Sequence, residues 1–414
     1  MKKSLIALAV LGAFSGVAMA SGSNVQLYGL IDEGITHYTG LAPAGTASPG
    51  QTVSSTGLSS GVQSGDRIGL KGTEDLGGGV SAIFDVETGF CGSGLSQDKP
   101  TVGATPQTYC TGGGFMQRQA WAGLTGSFGT VTGGRQYTAP FDNEANMDPF
   151  GFGLNGDIGN IGLVHQYGMY RADQTLAYVT PNLSGFTGVV AYVFAAGSGT
   201  VPSVSGAGSN VPRAWTLNGQ YGNGPITVGV NYTRTTNLYQ NPAFNTASTE
   251  YSLNTATGAI TGKAVTTNAS AADGALKLWQ IYGAYDFGVA KISGIYEHAT
   301  QDYYSGNAKF WMLGATVPVG PGAILASFSE NKDTLVANGG TGDGMGTAKQ
   351  YAIGYTYSLS KQTNLYASYA HISNDSATAT RTGTALAVAS STDAFSGVTG
   401  QGSSGFAVGI RHMF

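Results

Sequence analysis

The chain has 414 residues, and its 19 basic and 23 acidic side chains give a formal net charge of −4, which argues against nucleic acid as a partner. Charged residues make up only 10% of the sequence, whereas an average soluble protein has about a quarter. The 66 glycines, 22 tyrosines and 17 phenylalanines exclude a disordered chain, because disordered segments are poor in aromatic residues. This composition suits a protein whose surface partly faces lipid and whose backbone turns tightly.

The N-terminal segment has the features of an export signal. Two lysines precede an apolar stretch over residues 5–17, and the residues at 18–20 form a small-x-small cleavage site. We therefore predict a signal peptide over residues 1–20 and a mature chain over residues 21–414. A membrane-spanning helix is the weaker alternative, because the apolar run is shorter than the roughly 18 residues that a span needs.

The chain contains two cysteines, Cys91 and Cys110. An exported chain meets an oxidising environment, so we expect them to form a disulfide that closes a loop rich in Gly, Thr and Pro. No histidine lies between or beside them, and the five histidines of the chain are scattered without the spacing of metal ligands. We therefore expect neither a metal site nor a cofactor.

Tight turns recur along the chain and are rich in Gly, Pro, Asn and Asp, which favour turn geometry. They lie at 73–79, 126–129, 181–185, 222–225, 286–288, 318–322 and 359–362. The runs of about ten residues that flank them alternate in polarity; in residues 351–357, for example, Tyr and Ile alternate with Ala, Gly and Thr. This period of two predicts β-strands.

Long polar segments separate the resulting hairpins. They lie at about 39–62, 90–113, 137–170, 196–212, 236–275, 301–308, 332–348 and 374–403. Seven turns joining eight hairpins predict an all-β fold, a 16-stranded antiparallel transmembrane β-barrel. Short turns on the periplasmic side and long loops on the extracellular side are typical of such barrels, and a soluble β-sandwich rarely keeps this asymmetry.

The C-terminal strand ends the chain on an aromatic residue. Phe406, Val408, Ile410 and Phe414 share one face of this strand. The pattern suits a strand that closes a barrel, with Phe414 at the boundary between water and lipid. We expect these four residues to form the signal that the barrel-assembly machinery reads. The alternative is the edge strand of a soluble sheet.

Two glycine-rich segments match enzyme motifs, but neither has the context that its chemistry requires. Residues 57–61 fit a nucleophile elbow and lie in a Gly/Ser loop without a strand-to-helix turn. Residues 151–156 fit a dinucleotide fingerprint without a surrounding βαβ unit. We therefore do not expect an enzyme.

Seven further motifs follow one another over nearly the whole mature chain. They lie at 25–32, 67–79, 118–124, 128–136, 178–182, 285–291 and 409–412. With these motifs the chain resembles the general porins of Gram-negative bacteria, in particular those of the β-proteobacterial and neisserial type. The segment Gly-Thr-Glu-Asp-Leu-Gly-Gly-Gly at 72–79 is the most specific of them.

The resemblance implies a general diffusion porin: a homotrimer in the cell outer membrane, surrounded by lipid and lipopolysaccharide. Each barrel would hold a water-filled, weakly charge-selective pore for ions and small hydrophilic solutes. The resemblance also implies that the third long loop, about 137–170, folds inward and narrows the pore. Its acidic residues, which would form one side of the constriction, are Asp142, Glu144, Asp148 and Asp157.

The family places a cluster of arginines on the wall that faces this loop. The matching positions are Arg67, Arg118 and Arg171, with Arg135 as a weaker candidate. Parity supports Arg67 independently, because Ile68 and Leu70 share one face of their strand while Arg67 and Lys71 share the other. Lipid should take the apolar face, which points Arg67 and Lys71 into the lumen.

The sequence leaves three alternatives and the sign of the ion selectivity open, since an acidic chain and an arginine-lined wall point in opposite directions. A solute-specific channel would need an aromatic track or a binding pocket in the lumen. A protease or lipase barrel would need a Ser–His or Asp–His pair at the barrel mouth. An adhesin would use the long Thr/Ser/Ala-rich loops 236–275 and 374–403.

Overall fold

The structure is a computed structural model, and it describes only part of the chain. The described residues are 24–41, 52–93, 116–194, 213–236, 247–253, 260–266, 275–302, 304–337, 346–375, 385–386, 388, 396–397 and 400–414. The signal peptide at 1–20 and Cys110 lie outside these residues, so the leader and the Cys91–Cys110 disulfide stay predictions.

Sixteen antiparallel strands form one closed sheet. They are β1 Asn24–Leu41, β2 in two segments Val53–Ser60 and Arg67–Gly77, β3 Val80–Gly89, β4 Gln119–Gly126, β5 Gly129–Tyr137, β6 Arg171–Val179, β7 Phe186–Val193, β8 Arg213–Asn223, β9 Ile226–Thr236, β10 Ala275–Asp286, β11 Lys291–Gln301, β12 Ala308–Val319, β13 Gly322–Asp333, β14 Gly346–Ser358, β15 Thr363–Asn374 and β16 Gly402–Met413. The register of β16 with β1, from Leu30 opposite Met413 to Thr39 opposite Ser404, closes the sheet. The predicted 16-stranded antiparallel barrel is therefore confirmed.

In the described residues between the barrel strands, three short strand pairs are present. They are Ala247–Leu253 with Ile260–Thr266, Tyr304–Ser305 with Val336–Ala337, and Ala385–Leu386 with Ser396–Gly397. Across the ranges that the structure covers, none of the helices combines the length and the apolar character that a membrane span requires.

The two faces of the barrel wall differ as the alternating sequence predicts. On β10, the outward Trp279 and Ile281 are 53% and 61% exposed, whereas the inward Leu278 and Gln280 are fully buried. The outward residues of the wall are thus mostly apolar, and polar side chains such as Gln280 lie inside, where a soluble protein would have the reverse. This arrangement suits hydrocarbon outside and water or polar groups inside.

The predicted turns join consecutive strands of the barrel. The turn between β2 and β3 needs glycine, because Gly77, Gly78 and Gly79 have φ angles of 83°, 62° and 77°. Side chains other than glycine rarely adopt this left-handed region. This requirement explains the Gly-Gly-Gly triplet of the most specific motif.

The first long segment differs from its prediction, because residues 53–60 form a strand and not part of a loop. They pair with β1 from Glu33 opposite Ser60 to Leu41 opposite Val53. Their Ser-, Thr- and Gly-rich sequence lacks a clear apolar alternation, which is why the pattern missed them. Residues 61–66 then leave the sheet, and we call this six-residue insertion the β2 bulge.

Asp32 on β1 holds the β2 bulge in place. Its carboxylate accepts the N–H groups of Gln63 at 2.5 Å and Ser64 at 2.6 Å. It also accepts the hydroxyl of Tyr366 on β15 at 2.7 Å. Three donors satisfy this fully buried carboxylate. The β2 bulge is therefore stabilised by specific hydrogen bonds and is not a chance irregularity of the strand.

The third long loop folds into the barrel. Its helix α1 spans Ala139–Met147. Thr138 is the N-cap, and its hydroxyl accepts the N–H of Phe141 at 3.3 Å. A 3-10 turn at Ile158–Asn160 and the short helix α2 at Leu163–Gln166 follow. Below we call residues 138–170 the inner loop.

The inner loop packs against the inside of the barrel wall. Its buried apolar residues, which include Leu154, Ile158, Ile161 and Leu163, form one hydrophobic cluster with wall residues such as Leu276, Leu278, Phe310 and Met312. Wall amides satisfy its backbone: Gln280 donates to the carbonyl of Pro140 at 3.1 Å, and Gln350 donates to that of Asp157 at 3.1 Å. The inner loop is therefore a packed part of the barrel.

Two glutamates meet where the inner loop touches the wall. Glu144 on α1 is fully buried, and its Oε1 accepts the N–H of Val164 at 3.3 Å. Glu297 on β11 accepts the N–H of Leu163 at 3.2 Å and an amide N–H of Gln280 at 2.6 Å. Burial, together with the charge of Glu297, raises the pKa of Glu144 well above 4.5.

The raised pKa predicts that the protein loses stability as the pH rises. The folded state holds the Glu144 proton more tightly than the unfolded chain does, so the stability present at low pH is lost above pH 4.5 as the pH approaches the raised pKa. We expect the Tm of the detergent-solubilised protein to fall between pH of about 5 and about 8, and Glu144→Gln to reduce this fall.

The control for this prediction is Glu74→Gln, which changes an exposed glutamate near a turn. The control should keep the pH dependence of the parent protein. Part of the fall should persist in Glu144→Gln, because burial also raises the pKa of Asp148 on the inner loop to about 7. Equal slopes for Glu144→Gln and Glu74→Gln would contradict the prediction.

Candidate functional site

Three of the predicted arginines lie around one carboxylate and one hydroxyl inside the barrel. Arg118 Nε donates to Glu87 Oε1 at 2.6 Å, and Arg67 Nη1 lies 3.8 Å from Glu87 Oε2. The Tyr137 hydroxyl accepts from Arg118 at 2.8 Å and from Arg171 at 2.7 Å. The structure thus brings Arg67, Arg118 and Arg171 together. We call these three arginines, with Glu87 and Tyr137, the arginine cluster.

The order of the strands explains why these residues meet. Arg67 begins the second segment of β2, Arg118 directly precedes β4, Tyr137 ends β5, and Arg171 begins β6. Arg118, Tyr137 and Arg171 lie at the ends of neighbouring strands that are opposite to the tight turns, and Arg67 lies beside them in the middle of β2, just after the β2 bulge. Adjacent strand ends in an antiparallel sheet are close together, so distant parts of the sequence supply one site.

Lys71 lies on the same strand face as Arg67, four residues closer to the tight turn. It stands opposite Asp85 in the β2–β3 register, and its Nζ lies 5.1 Å from the centre of the Tyr28 ring. The Tyr28 hydroxyl donates to Asp85 at 2.7 Å and to Glu87 at 3.2 Å. Lys71 therefore borders the arginine cluster, on the side towards the tight turns.

Arg135 lies outside the hydrogen bonds of the arginine cluster. Its Nη1 forms an ion pair with Asp173 at 2.5 Å, and its Nε donates to the carbonyl of Gln117 at 2.5 Å. It stands opposite Ala120 in the β4–β5 register. The expected fourth basic residue of the wall is thus an arginine that its own neighbours neutralise.

The acidic residues of the inner loop mostly do not face the lumen. Glu144, Asp148 and Asp157 are at most 6% exposed, whereas Asp142 is exposed in the first turn of α1. Asp148 accepts N–H groups of three residues of its own loop, and Asp157 accepts that of Gly159 at 2.7 Å. These carboxylates stabilise the conformation of the loop. Of the four acidic residues predicted for the constriction, Asp142 alone is exposed.

Sequence reasoning missed the acceptors that organise the arginines. The acceptors are Glu87 and Tyr137. Tyr28 supports them, because its hydroxyl donates to Glu87 and to the neighbouring Asp85. A signal was present for two of them, because Asp85 and Glu87 alternate with Phe84 and Val86 on the strand after the most specific motif. Their parity indicates an inward face, but only the fold shows that they stand beside the arginines.

The residues of the predicted assembly signal lie on the outward face of β16. Phe406, Val408, Ile410 and Phe414 are between 43% and 49% exposed. The backbone of Phe414 pairs with Gly29 through two hydrogen bonds of 3.0 Å, so the last residue belongs to the closing seam. Their role in assembly stays a prediction.

Comparisons with known proteins agree with this architecture. A family model described as Gram-negative porin matches residues 7–377. The chain is 30% identical over 407 residues to an outer membrane porin protein of Bordetella pertussis, which covers 89% of this chain and 93% of that protein.

Two solved structures share the fold. An anion-selective porin from Comamonas acidovorans aligns with a TM-score of 0.65 and 24% identity over 95% of this chain and all of that one. The trimer form of OmpT, an outer membrane protein of Vibrio cholerae, aligns with a TM-score of 0.59 and 16% identity over 95% and 99%. At these identities the two structures support the fold alone.

The matched family consists of channels and not of enzymes. The family model spans most of the chain, and the alignment with the Bordetella pertussis porin covers 89% of it. The closed barrel, with an apolar outer surface and charged groups on part of its inner wall, is the form that a channel of this kind requires. The chain belongs to the Gram-negative porin family, as a channel of the cell outer membrane.

Proposed function

We propose that this porin is a general diffusion channel with a weak preference for anions. The observation that carries the proposal is the arginine cluster, in which Arg118 and Arg67 contact the carboxylate of Glu87 while Arg171 donates to the hydroxyl of Tyr137. The inner loop offers only Asp142 as an exposed carboxylate to balance them. The name of the Comamonas acidovorans neighbour, an anion-selective porin, agrees with this sign.

The size of the electrostatic effect favours selection without tight binding. Two unit charges roughly 10 Å apart interact by about 0.4 to 1.7 kcal/mol, depending on the effective dielectric constant. Such an energy biases which ions enter and orients a dipolar solute, but it does not hold one. Passage is then diffusive and limited by solute size, with no chemical step.

We also propose that the porin is a homotrimer. The proposal rests on the family resemblance, and the trimer form of the Vibrio cholerae neighbour supports it. In the same way we propose that Phe406, Val408, Ile410 and Phe414 are the signal that the barrel-assembly machinery reads. Their outward, lipid-side position on the closing strand leaves their side chains accessible during insertion.

We further propose that lipopolysaccharide contacts the outward face of β9–β13. Basic residues lie directly opposite each other there, Arg234 opposite Lys277 and Lys309 opposite Lys332, although like charges in such positions destabilise a strand pair. Asp302 neutralises Lys277 at 2.9 Å. Within the described parts of the chain, Lys309 and Lys332 have no ionic partner, so the phosphate groups of lipopolysaccharide would supply one.

A row of aromatic residues sets the depth of these charges. The rings of Tyr232 and Trp279 lie 4.4 Å apart, and those of Trp311 and Phe328 lie 5.1 Å apart, on the same outward face. Aromatic residues of membrane proteins gather at the level of the lipid headgroups. Lys309 is two residues farther from the tight turns than Trp311, which supports a contact between its ammonium group and headgroup phosphates.

The charge preference predicts opposite effects of two neutralising changes. Arg118→Gln removes a positive charge and should shift the reversal potential in a salt gradient towards cations. Glu87→Gln removes the shared negative charge and should shift it towards anions. Each change should alter the anion-to-cation permeability ratio by about twofold or more, as expected for one charge at this distance.

Arg234→Gln is the matched control for the selectivity measurement, because it removes a positive charge from the outward face of the barrel. The control should leave the permeability ratio nearly unchanged. If planar bilayers show the same ratio for all three variants and the parent, the arginine cluster does not set the selectivity.

The lipopolysaccharide proposal predicts a loss of copurified lipid. We expect the double variant Lys309→Gln/Lys332→Gln to retain less lipopolysaccharide phosphate per barrel after mild detergent extraction, by about twofold or more. The control is Lys291→Gln/Lys361→Gln, which removes two exposed lysines near the tight turns. An equal phosphate content in both double variants would refute the site on β12 and β13.

A further inference from the structure

The lumenal side of the inner loop carries a group of stacked aromatic rings. Tyr137 and Phe141 are parallel, with ring centres 4.6 Å apart and planes 11° apart. Phe141 meets Phe152 at 4.7 Å and Tyr170 at 5.5 Å. These four side chains, which we call the aromatic ledge, form a continuous apolar surface beside α1.

The aromatic ledge lies on the open side of the inner loop. Helix α1 buries Pro140, Asn143, Glu144 and Met147 against the wall, and Asp142 on its other side is exposed. Phe141 is half-buried and belongs to that other side, as a helix of 3.6 residues per turn requires. Phe152 and Tyr170 are also half-buried, unlike the fully enclosed residues under the loop.

The aromatic ledge and the arginine cluster share one residue, Tyr137. Its hydroxyl accepts hydrogen bonds from Arg118 and Arg171, while its ring stacks on Phe141. The guanidinium carbon of Arg171 lies 4.4 Å from the centre of the same ring. A flat aromatic surface and two guanidinium groups therefore meet along one edge in the lumen.

Glu87 pairs with Arg118 on the side away from the rings, and the groups beside the rings add little further charge. Burial lowers the pKa of His165, which contacts the Tyr170 hydroxyl, to about 4, so its imidazole is neutral at neutral pH. Asp142 is the exposed carboxylate of the adjoining helix turn. The guanidinium groups of Arg118 and Arg171 thus remain the positive groups closest to the rings.

We propose that this edge is a binding site for planar aromatic anions, in particular aryl carboxylates. The carboxylate would lie against Arg118 and Arg171, since guanidinium groups match carboxylates in shape and charge. The aryl ring would lie on Phe141 and Phe152, where aromatic pairs gain energy beyond their buried area. The inference rests on the proposed anion preference and adds a class of solute to it, through the aromatic track that a solute-specific channel needs.

The test compares two anions of equal charge and similar size, benzoate and cyclohexanecarboxylate, as blockers of the single-channel chloride current. Only benzoate has the flat π-system that the aromatic ledge recognises. We expect benzoate to reach half-block at a concentration about twofold to tenfold lower than cyclohexanecarboxylate, which is the range expected for one aromatic contact. Equal half-blocking concentrations would overturn the inference.

Two variants locate the effect. Phe141→Leu and Phe152→Leu should each remove most of the difference between the two blockers, because leucine keeps the apolar surface without the ring. Phe287→Leu, which changes a 61% exposed ring at a tight turn, should keep the difference. A difference that persists in both ledge variants would also overturn the inference, and measuring two variants protects the result against a local disturbance of the loop by one of them.

The measurement separates this inference from the proposed function. The reversal potential in a potassium chloride gradient reports the anion preference without any aromatic solute. An absent preference would refute the proposed function, whereas a normal preference with equal block by the two carboxylates would refute the aromatic site alone.

Discussion

The pairing of the first strand with the last is the constraint on which this porin depends. In hydrocarbon an unpaired backbone N–H or C=O costs several kcal/mol, so a sheet can cross a membrane only when it closes on itself. The seam runs over ten residue pairs between β1 and β16, and Phe414 extends it. Closure encloses an interior, and both the inner loop and the arginine cluster lie in that interior.

One part of the inner wall anchors the inner loop, and another part carries the guanidinium groups of the pore. The inner loop occupies the wall around β10–β15, and most of its carboxylates serve as acceptors for backbone N–H groups or lie against the wall. The wall around β2–β6 keeps its guanidinium groups. The net charge of the chain is therefore a poor guide to the charge that lines the pore. The chain has a net charge of −4, but most acidic residues of its inner loop are buried and accept hydrogen bonds within the loop.

The alternation of residues and the spacing of turns predicted the barrel, because lipid imposes a period of two on every strand that it touches. The pattern failed at residues 53–60, where serine, threonine and glycine leave no apolar stripe. In the site, the motifs located Arg67, Arg118 and Arg171. They could not reveal the burial of Glu144 or the bridging role of Tyr137, because both depend on which parts of the inner loop meet the wall.

The β2 bulge has a mechanical consequence. The N–H of Leu154 in the inner loop donates to the carbonyl of Val62 at 2.6 Å, and Asp32 ties the same bulge to β1 beside the seam. The loop is also fastened to β8 through Asn143 and to β15 through Asn155. A hollow cylinder flattens easily under sideways pressure, but one with an internal rib fixed at several points of its circumference keeps its round cross-section. The aperture should thus stay constant when the surrounding bilayer is compressed.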